Sequence, residues 1–256
     1  MKPRCISLMI AVAIMAIALA SPATALPKML LPEEEYDFGF VPQDSKVSHV
    51  FWIKSVGDDS LIIISVKPGC SCTQAPLAKK ELAADDSTEL EIIFSTGKNI
   101  GKTTKRPMIT TNEGPPSRNV IISCDVVRAP DSTYPLIIKP FRLFVSKADT
   151  IEIDEAKFTI QNVSDQDLGI EVVSEPYGYF QLTLPKNIAP GQTTECKLKV
   201  NREYLAEPFE KSITLELTDA SKTRFTIPVI RRLIGRQNAG AVSQPQGQTL
   251  PADGKH

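Results

Sequence analysis

The chain has 256 residues, 42% of them hydrophobic, and its 29 Lys and Arg nearly balance 30 Asp and Glu. That balance excludes the basic surface by which proteins hold nucleic acid or an anionic membrane. Beyond residue 25 only Cys70, Cys72, Cys124 and Cys196 remain, too few for a disulfide-built scaffold of this length, so an apolar core must hold the fold.

The N-terminal stretch carries Lys2 and Arg4, then an apolar run from Ile6 to Ala20, then the small residues Ala23-Thr24-Ala25. This three-part layout predicts a signal peptide over residues 1–25, cleaved after Ala25. The run is shorter than the roughly 20 residues that span a bilayer, so no membrane span is expected after cleavage. Cys5 precedes the run and cannot begin a lipidated mature chain. Without Lys2 and Arg4, 27 cations face 30 anions. The expected location is outside the cytoplasm, in the periplasm or the extracellular space.

From Val47 onward, period-two alternation replaces any helical period. "VSHVFWI", "SLIIISV", "TELEIIF", "RPMITT" and "RNVIISCDVV" read as strands, separated by turn-rich pieces such as "SVGDDS", "STGKNIGK" and "TNEGPPS". Short strands at regular spacing predict an all-β chain of antiparallel β-sandwiches.

An internal repeat sharpens this expectation. "FWIKSVGDDSLII" from Phe51 overlays "FTIQNVSDQDLGI" from Phe158, and "LAADDSTELEIIF" from Leu82 overlays "IAPGQTTECKLKV" from Ile188. The offsets, 107 and 106 residues, match one Ig-sized sandwich of roughly 100 residues. Two tandem Ig-like sandwiches are therefore predicted, over residues 28–128 and 134–233. The linker "APDSTYP" has a proline near each end, and residues 234–256, rich in Gly, Gln, Pro and Ala, are expected to be a disordered tail.

The repeat also assigns faces. Phe51 and Ile53 match Phe158 and Ile160 and should point inward, which turns Trp52 outward as a candidate partner contact. His49 shares the inward parity and is expected to be structural. Cys196 stands where the first repeat has Leu90, and Cys124 shares its parity with Ile122 and Val126, so both are expected inside. Asn162-Val163-Ser164 fits an N-glycosylation acceptor.

Cys70 and Cys72 are the two cysteines placed in a turn, behind Pro68-Gly69. Three chemistries suit them: a local bridge, a bridge from one of them to Cys124, or two thiolates for a soft ion such as copper or zinc, with His49, Met108 and Cys124 as the nearest further ligands. In an extended strand, residues two apart lie about 6.6 Å apart at Cα, so a local bridge needs a bent backbone. No catalytic residues are expected. His49 is the one histidine before the terminus, no nucleophile signature lies near it, and there is no glycine-rich phosphate loop.

"YDFGFV" (Tyr36–Val41), "FWIKSVGDDSLII", "CSCT" (Cys70–Thr73) and "ITTNEG" (Ile109–Gly114) resemble the bacterial exported domain of unknown function numbered fifteen seventy-three, within the ASPM/Hydin-like and PapD-like Ig superfamily. The family's asparagine in the second motif is Ser55 here, whereas the second repeat keeps it as Asn162; the family's glycine between the cysteines is Ser71. The resemblance covers about 90 residues and implies a seven-stranded Ig-like fold and export, with no established activity. The expected function is a non-enzymatic exported binding or scaffolding protein of the cell envelope, without a cofactor, whose partner is another envelope protein. The alternative is a copper- or zinc-binding or thiol–disulfide protein using Cys70 and Cys72.

Overall fold

The computed structural model describes residues 25–148 and 151–234; the expected leader and tail lie outside the described residues, except Ala25 and Ile234 at their borders. The first unit holds β1 (Met29–Leu30), β2 (Glu35–Pro42), β3 (Lys46–Ser55), β4 (Leu61–Lys67), β5 (Thr73–Gln74) and β6 (Glu81–Leu82). It continues with β7 (Ser87–Ser95), β8 (Gly101–Lys105), β9 (Met108–Thr111), β10 (Arg118–Asn119) and β11 (Ile121–Val127). The second holds β12 (Leu136–Lys139), β13 (Leu143–Ala148), β14 (Ile151–Ile153), β15 (Glu155–Asn162) and β16 (Leu168–Ser174). It ends with β17 (Phe180–Thr183), β18 (Asn187–Ile188), β19 (Thr193–Val200), β20 (Phe209–Leu217) and β21 (Arg224–Ile234). Among the described residues no helix is long and apolar enough to cross a membrane.

The alternation predicted for β3 is what buries it. Val47, Phe51 and Ile53 are at most 1% exposed, while Trp52 between them is 45% exposed. Opposite them Leu90, Ile92 and Phe94 of β7 face the same interior. Each such side chain contributes about 1.5–3 kcal/mol when withdrawn from water. Two separate clusters of buried apolar side chains result, one from Met29 to Val126 and one from Val127 to Val229.

The two units repeat strand by strand. The order β1-β3-β7-β5 recurs as β12-β15-β19-β17. Phe51 pairs with Leu90 in the first and Phe158 with Cys196 in the second; likewise Leu61 pairs with Leu82, and Leu168 with Ile188. In the facing layer, β20 is one strand between β16 and β21. Its counterpart is broken at Arg106-Pro107 into β9, which pairs with β4, and β8, which pairs with β11. Pro107 has no N–H for a ladder, which accounts for the break.

Three pairings depart from antiparallel sandwiches, one within each unit and one between β2 and β21. β2 runs parallel to β11 (Tyr36 opposite Ile122), and β13 runs parallel to β21 (Leu143 opposite Val229). Parallel neighbours need a long connection, and nearly the whole unit lies between them in sequence.

β2 also pairs with β21 through Phe40 and Phe225, so a continuous nine-stranded sheet runs through both units. At this seam the Thr226 hydroxyl donates to the Phe38 carbonyl (2.6 Å) and Arg224 donates to the Asp37 carbonyl (3.1 Å). The Arg224 guanidinium lies 5.2 Å from the Tyr36 ring centre and donates through Nε to Glu216 (2.8 Å). Burial works to raise the Glu216 carboxyl, but Arg224 and Lys222 hold it below its ordinary value. Across the linker the buried Thr133 hydroxyl bridges the carbonyls of Pro130 and Leu136, at 2.7 and 2.6 Å.

Candidate functional site

Cys70 and Cys72 are joined by a disulfide, with their Cα atoms 5.3 Å apart. The bend that brings them within reach is a turn in which Thr73 N–H donates to the Cys70 carbonyl (3.3 Å), entered through Gly69 at φ +84°. Ser95 N–H donates to the Cys72 carbonyl (2.8 Å), tying the turn to β7. The Thr73 hydroxyl lies 3.3 Å from the Cys70 sulfur.

The bridge to Cys124 considered from sequence is not formed. Cys124 is a buried free thiol on β11, facing the first core beside Ile122 and Val126, and its neighbour on β8 is Thr103 rather than the cysteine turn. Burial, with Asp37 and Asp125 adding to it, pushes this thiol up to about 12. Cys196 is likewise free and buried at the rung held by Leu90 in the first unit; burial and Glu195 push it up to about 11. Neither supplies a thiolate at neutral pH.

The soft-ion set does not assemble either. Sulfurs bonded to each other offer no thiolate pair, and His49 is engaged elsewhere. Among the described residues no group of three or more His, Cys, Asp or Glu is placed to hold a metal ion.

The glycosylation reading of Asn162 meets a steric objection. Asn162 is fully buried; its amide donates to the carbonyls of Gln166 (2.7 Å) and Ile188 (2.9 Å), and its oxygen accepts from the Ser164 N–H (2.9 Å). It fastens the turn after β15 and offers no nitrogen to a glycan.

Trp52 opens onto a cleft of about 690 Å³ between the two units. The first unit supplies the outer face of β3 and β7, where Trp52 stands directly opposite Glu89 and Val50 opposite Glu91. The second supplies the end of β16, Tyr177 and Tyr179 of the following loop, and Lys211 of β20. Tyr177 is 96% exposed, and Tyr179 stacks on Tyr204 at 3.7 Å between ring centres.

The floor of the cleft is stitched from both sides. Ser48 N–H donates to the Ser212 hydroxyl (3.0 Å), which returns a bond to the Ser48 carbonyl (3.3 Å). Lys211 pairs with Glu91 at 2.9 Å, with both side chains about one-fifth exposed. His49 is half-buried rather than in the core. Its ring stacks on Tyr36 at 3.5 Å, with Nε2 2.7 Å from Glu33 and Nδ1 3.1 Å from the Ser174 hydroxyl of the second unit. At the rim, partial burial raises the Glu175 carboxyl above its ordinary value.

Thr73 pairs with Phe94 and Phe180 with Val200 at matching rungs, so the loops before them correspond: Cys70 and Cys72 stand where Tyr177 and Tyr179 stand. One loop position carries a disulfide in the first unit and the aromatic wall of the cleft in the second. The stretch "SEPYGYF" of the second unit carries no cysteine. That its tyrosines face Trp52's side of the first unit depends on how the units dock.

No curated protein matches the chain. Among solved structures it is similar to a protein of unknown function from Porphyromonas gingivalis W83 (15% identity, 79% of this chain and 98% of that one, TM-score 0.35). It is also similar to the CupB2 chaperone of Pseudomonas aeruginosa (11% identity, 78% and 98%, TM-score 0.29). A third is the ASH/PapD-like domain of human CEP192 (12% identity, 43% and 94%, TM-score 0.30). At such TM-scores these likenesses say nothing of site or partner. A family model described as "Protein of unknown function (DUF1573)" matches residues 29–126. Over residues 29–126, its first unit, this chain is thus similar to the DUF1573 family, whose function is unknown.

Proposed function

We propose that the protein is a non-enzymatic, exported binding or scaffolding protein of the cell envelope that holds a partner protein in the cleft between its two sandwich units. The observation that carries this reading is Trp52, a large aromatic side chain left 45% exposed on a strand face that opens onto the 690 Å³ cleft. Trp and Tyr are the side chains that most often anchor protein interfaces, and a cleft whose two walls are already joined by the Ser48–Ser212 and Lys211–Glu91 contacts needs little reorganisation to bind. Export rests on the N-terminal layout of cations, apolar run and Ala-Thr-Ala, and would place an envelope partner within reach.

A photo-crosslinking residue at position 52 in living cells tests the binding, with Ile64 on the outer face of β4 as the control position. A partner adduct at 52 and none at 64 is expected; equal labelling at both, or none, rejects the cleft. N-terminal sequencing of the envelope fraction tests export, with Leu26 expected as the first residue.

A second reading uses the Cys70–Cys72 disulfide as a redox pair exchanging with a dithiol of another protein, favoured by its position in a half-buried turn. Equilibration in glutathione buffers decides it: an exchanging bridge is reduced within the range those buffers cover, a structural one is not.

A further inference from the structure

The chemistry of the cleft narrows its occupant. Glu89, Glu91 and Glu175 line it, and Lys211 is the cation among its lining residues, already paired with Glu91. Among the described residues Glu89 and Glu175 have no salt-bridge partner. Lys54, the next outward residue on β3, lies outside the lining. Trp52 and Glu89 stand opposite each other on one β3–β7 rung, so the indole and the carboxylate project from the same sheet face into the cleft, while Tyr177 and Tyr179 come from the opposite unit. The second unit already shows the matching contact: Lys211 Nζ lies 5.8 Å from the Tyr179 ring centre while its charge meets Glu91. Aromatic faces attract cations, most strongly when carboxylates stand beside them, and such a site disfavours an acidic segment.

Building on the proposal that the cleft holds a partner protein, we infer that its ligand is a basic polypeptide segment. A Lys or Arg side chain of that segment enters the cleft against Trp52 and the Tyr177/Tyr179 wall and is neutralised by Glu89 and Glu175. Association is steered by this charge and weakens with added salt.

Trp52 is the chain's one tryptophan, so its fluorescence reports on the cleft directly. The purified protein is titrated with three synthetic decapeptides: Gly/Ser with three lysines, the same with three glutamates, and Gly/Ser alone. A saturable change with the lysine peptide only is expected, weakened at least tenfold by the double variant Glu89→Gln/Glu175→Gln and by raising salt from 50 mM to 500 mM. Both glutamates are exposed, and an unchanged circular dichroism spectrum shows that the variant folds. Equal response to all three peptides, no saturable response to lysine, or an undiminished response in the double variant overturns the inference. The position-52 crosslink repeated in the double variant separates the two claims. An adduct that persists there leaves the cleft as a binding site and removes the basic ligand; loss of the adduct in the otherwise native protein removes the binding reading itself.

Discussion

Gly39 and Arg224 meet backbone to backbone at the seam between the units: a Cβ on Gly39 would fall 2.0 Å from the Arg224 carbonyl oxygen. Gly39 also sits at φ +63°, where an L side chain is strained. Gly39→Ala should therefore lower stability by at least about 3 kcal/mol and split one calorimetric unfolding transition into two as the shared sheet opens. Gly97→Ala is the control, since Gly97 has φ +51° but nothing within 4 Å; about 1–2 kcal/mol is expected there. Equal losses in the two variants would show that close approach at the seam contributes nothing.

Asn162 and Ser55 occupy equivalent positions but carry opposite risks. Asn162→Ala removes the bonds to the Gln166 and Ile188 carbonyls and from the Ser164 N–H, for a loss of about 2–4 kcal/mol in urea unfolding. Ser55 is 1% exposed and its hydroxyl has no hydrogen-bond partner, so Ser55→Ala should be neutral or stabilising by up to about 1 kcal/mol. Produced in a glycosylating host, the protein should carry no glycan at Asn162, checked by mass spectrometry.

The two buried thiols set a sign for alkaline stability. Both are raised in the folded chain, Cys124 to about 12 and Cys196 to about 11, from 9.0 when unfolded, chiefly by burial. The folded state keeps these protons longer, so their stabilising contribution is whole below about pH 9 and is lost as pH climbs towards the folded values. At pH 10.5 the loss is about 2 kcal/mol per thiol. The phenol of Tyr36, raised by burial, adds in the same direction. Urea unfolding from pH 8 to 10.5 should therefore fall less steeply in Cys124→Ala/Cys196→Ala than in the wild type. An iodoacetamide probe should label neither thiol until the protein unfolds.

The Cys70–Cys72 bridge spans a sequence separation of 2, and a loop that small constrains the unfolded chain by only about 1.5 kcal/mol. Cys70→Ser/Cys72→Ser should lower the melting temperature by a few degrees and leave the fold intact, because the bond from Ser95 N–H to the Cys72 carbonyl remains. A collapse of folding in this variant would mark the bridge as a staple instead.

Much of the strand plan was legible because side-chain alternation is a local property. Phe51, Ile53 and Trp52 declare their faces by parity, and the register of β3 on β7 agrees with that of β15 on β19 at the offsets read from the repeat. The inward readings of Cys124 and Cys196 followed from the same parity. The partners of His49 were not legible, because it lies where β3 passes the second unit: Glu33 and Tyr36 come from one stretch before β3 and Ser174 from the second unit.

Alone, the sequence determined an all-β chain, the equivalence of its two halves, and a cysteine pair confined to a turn of the first. Those depend on spacing within ten residues or on repetition, and both survive in one dimension. The tertiary structure decided the parallel pairing of β2, its seam with β21, and the choice of Cys72 over Cys124 as partner for Cys70. It also decided the cleft in which Trp52 and Tyr177 line one space though 125 residues apart in the chain. The parallel pairing and the cysteine bridge depend on contacts between distant strands and turns of one unit; the seam and the cleft depend on how two finished sandwiches dock, settled by surfaces that exist only once each core has closed.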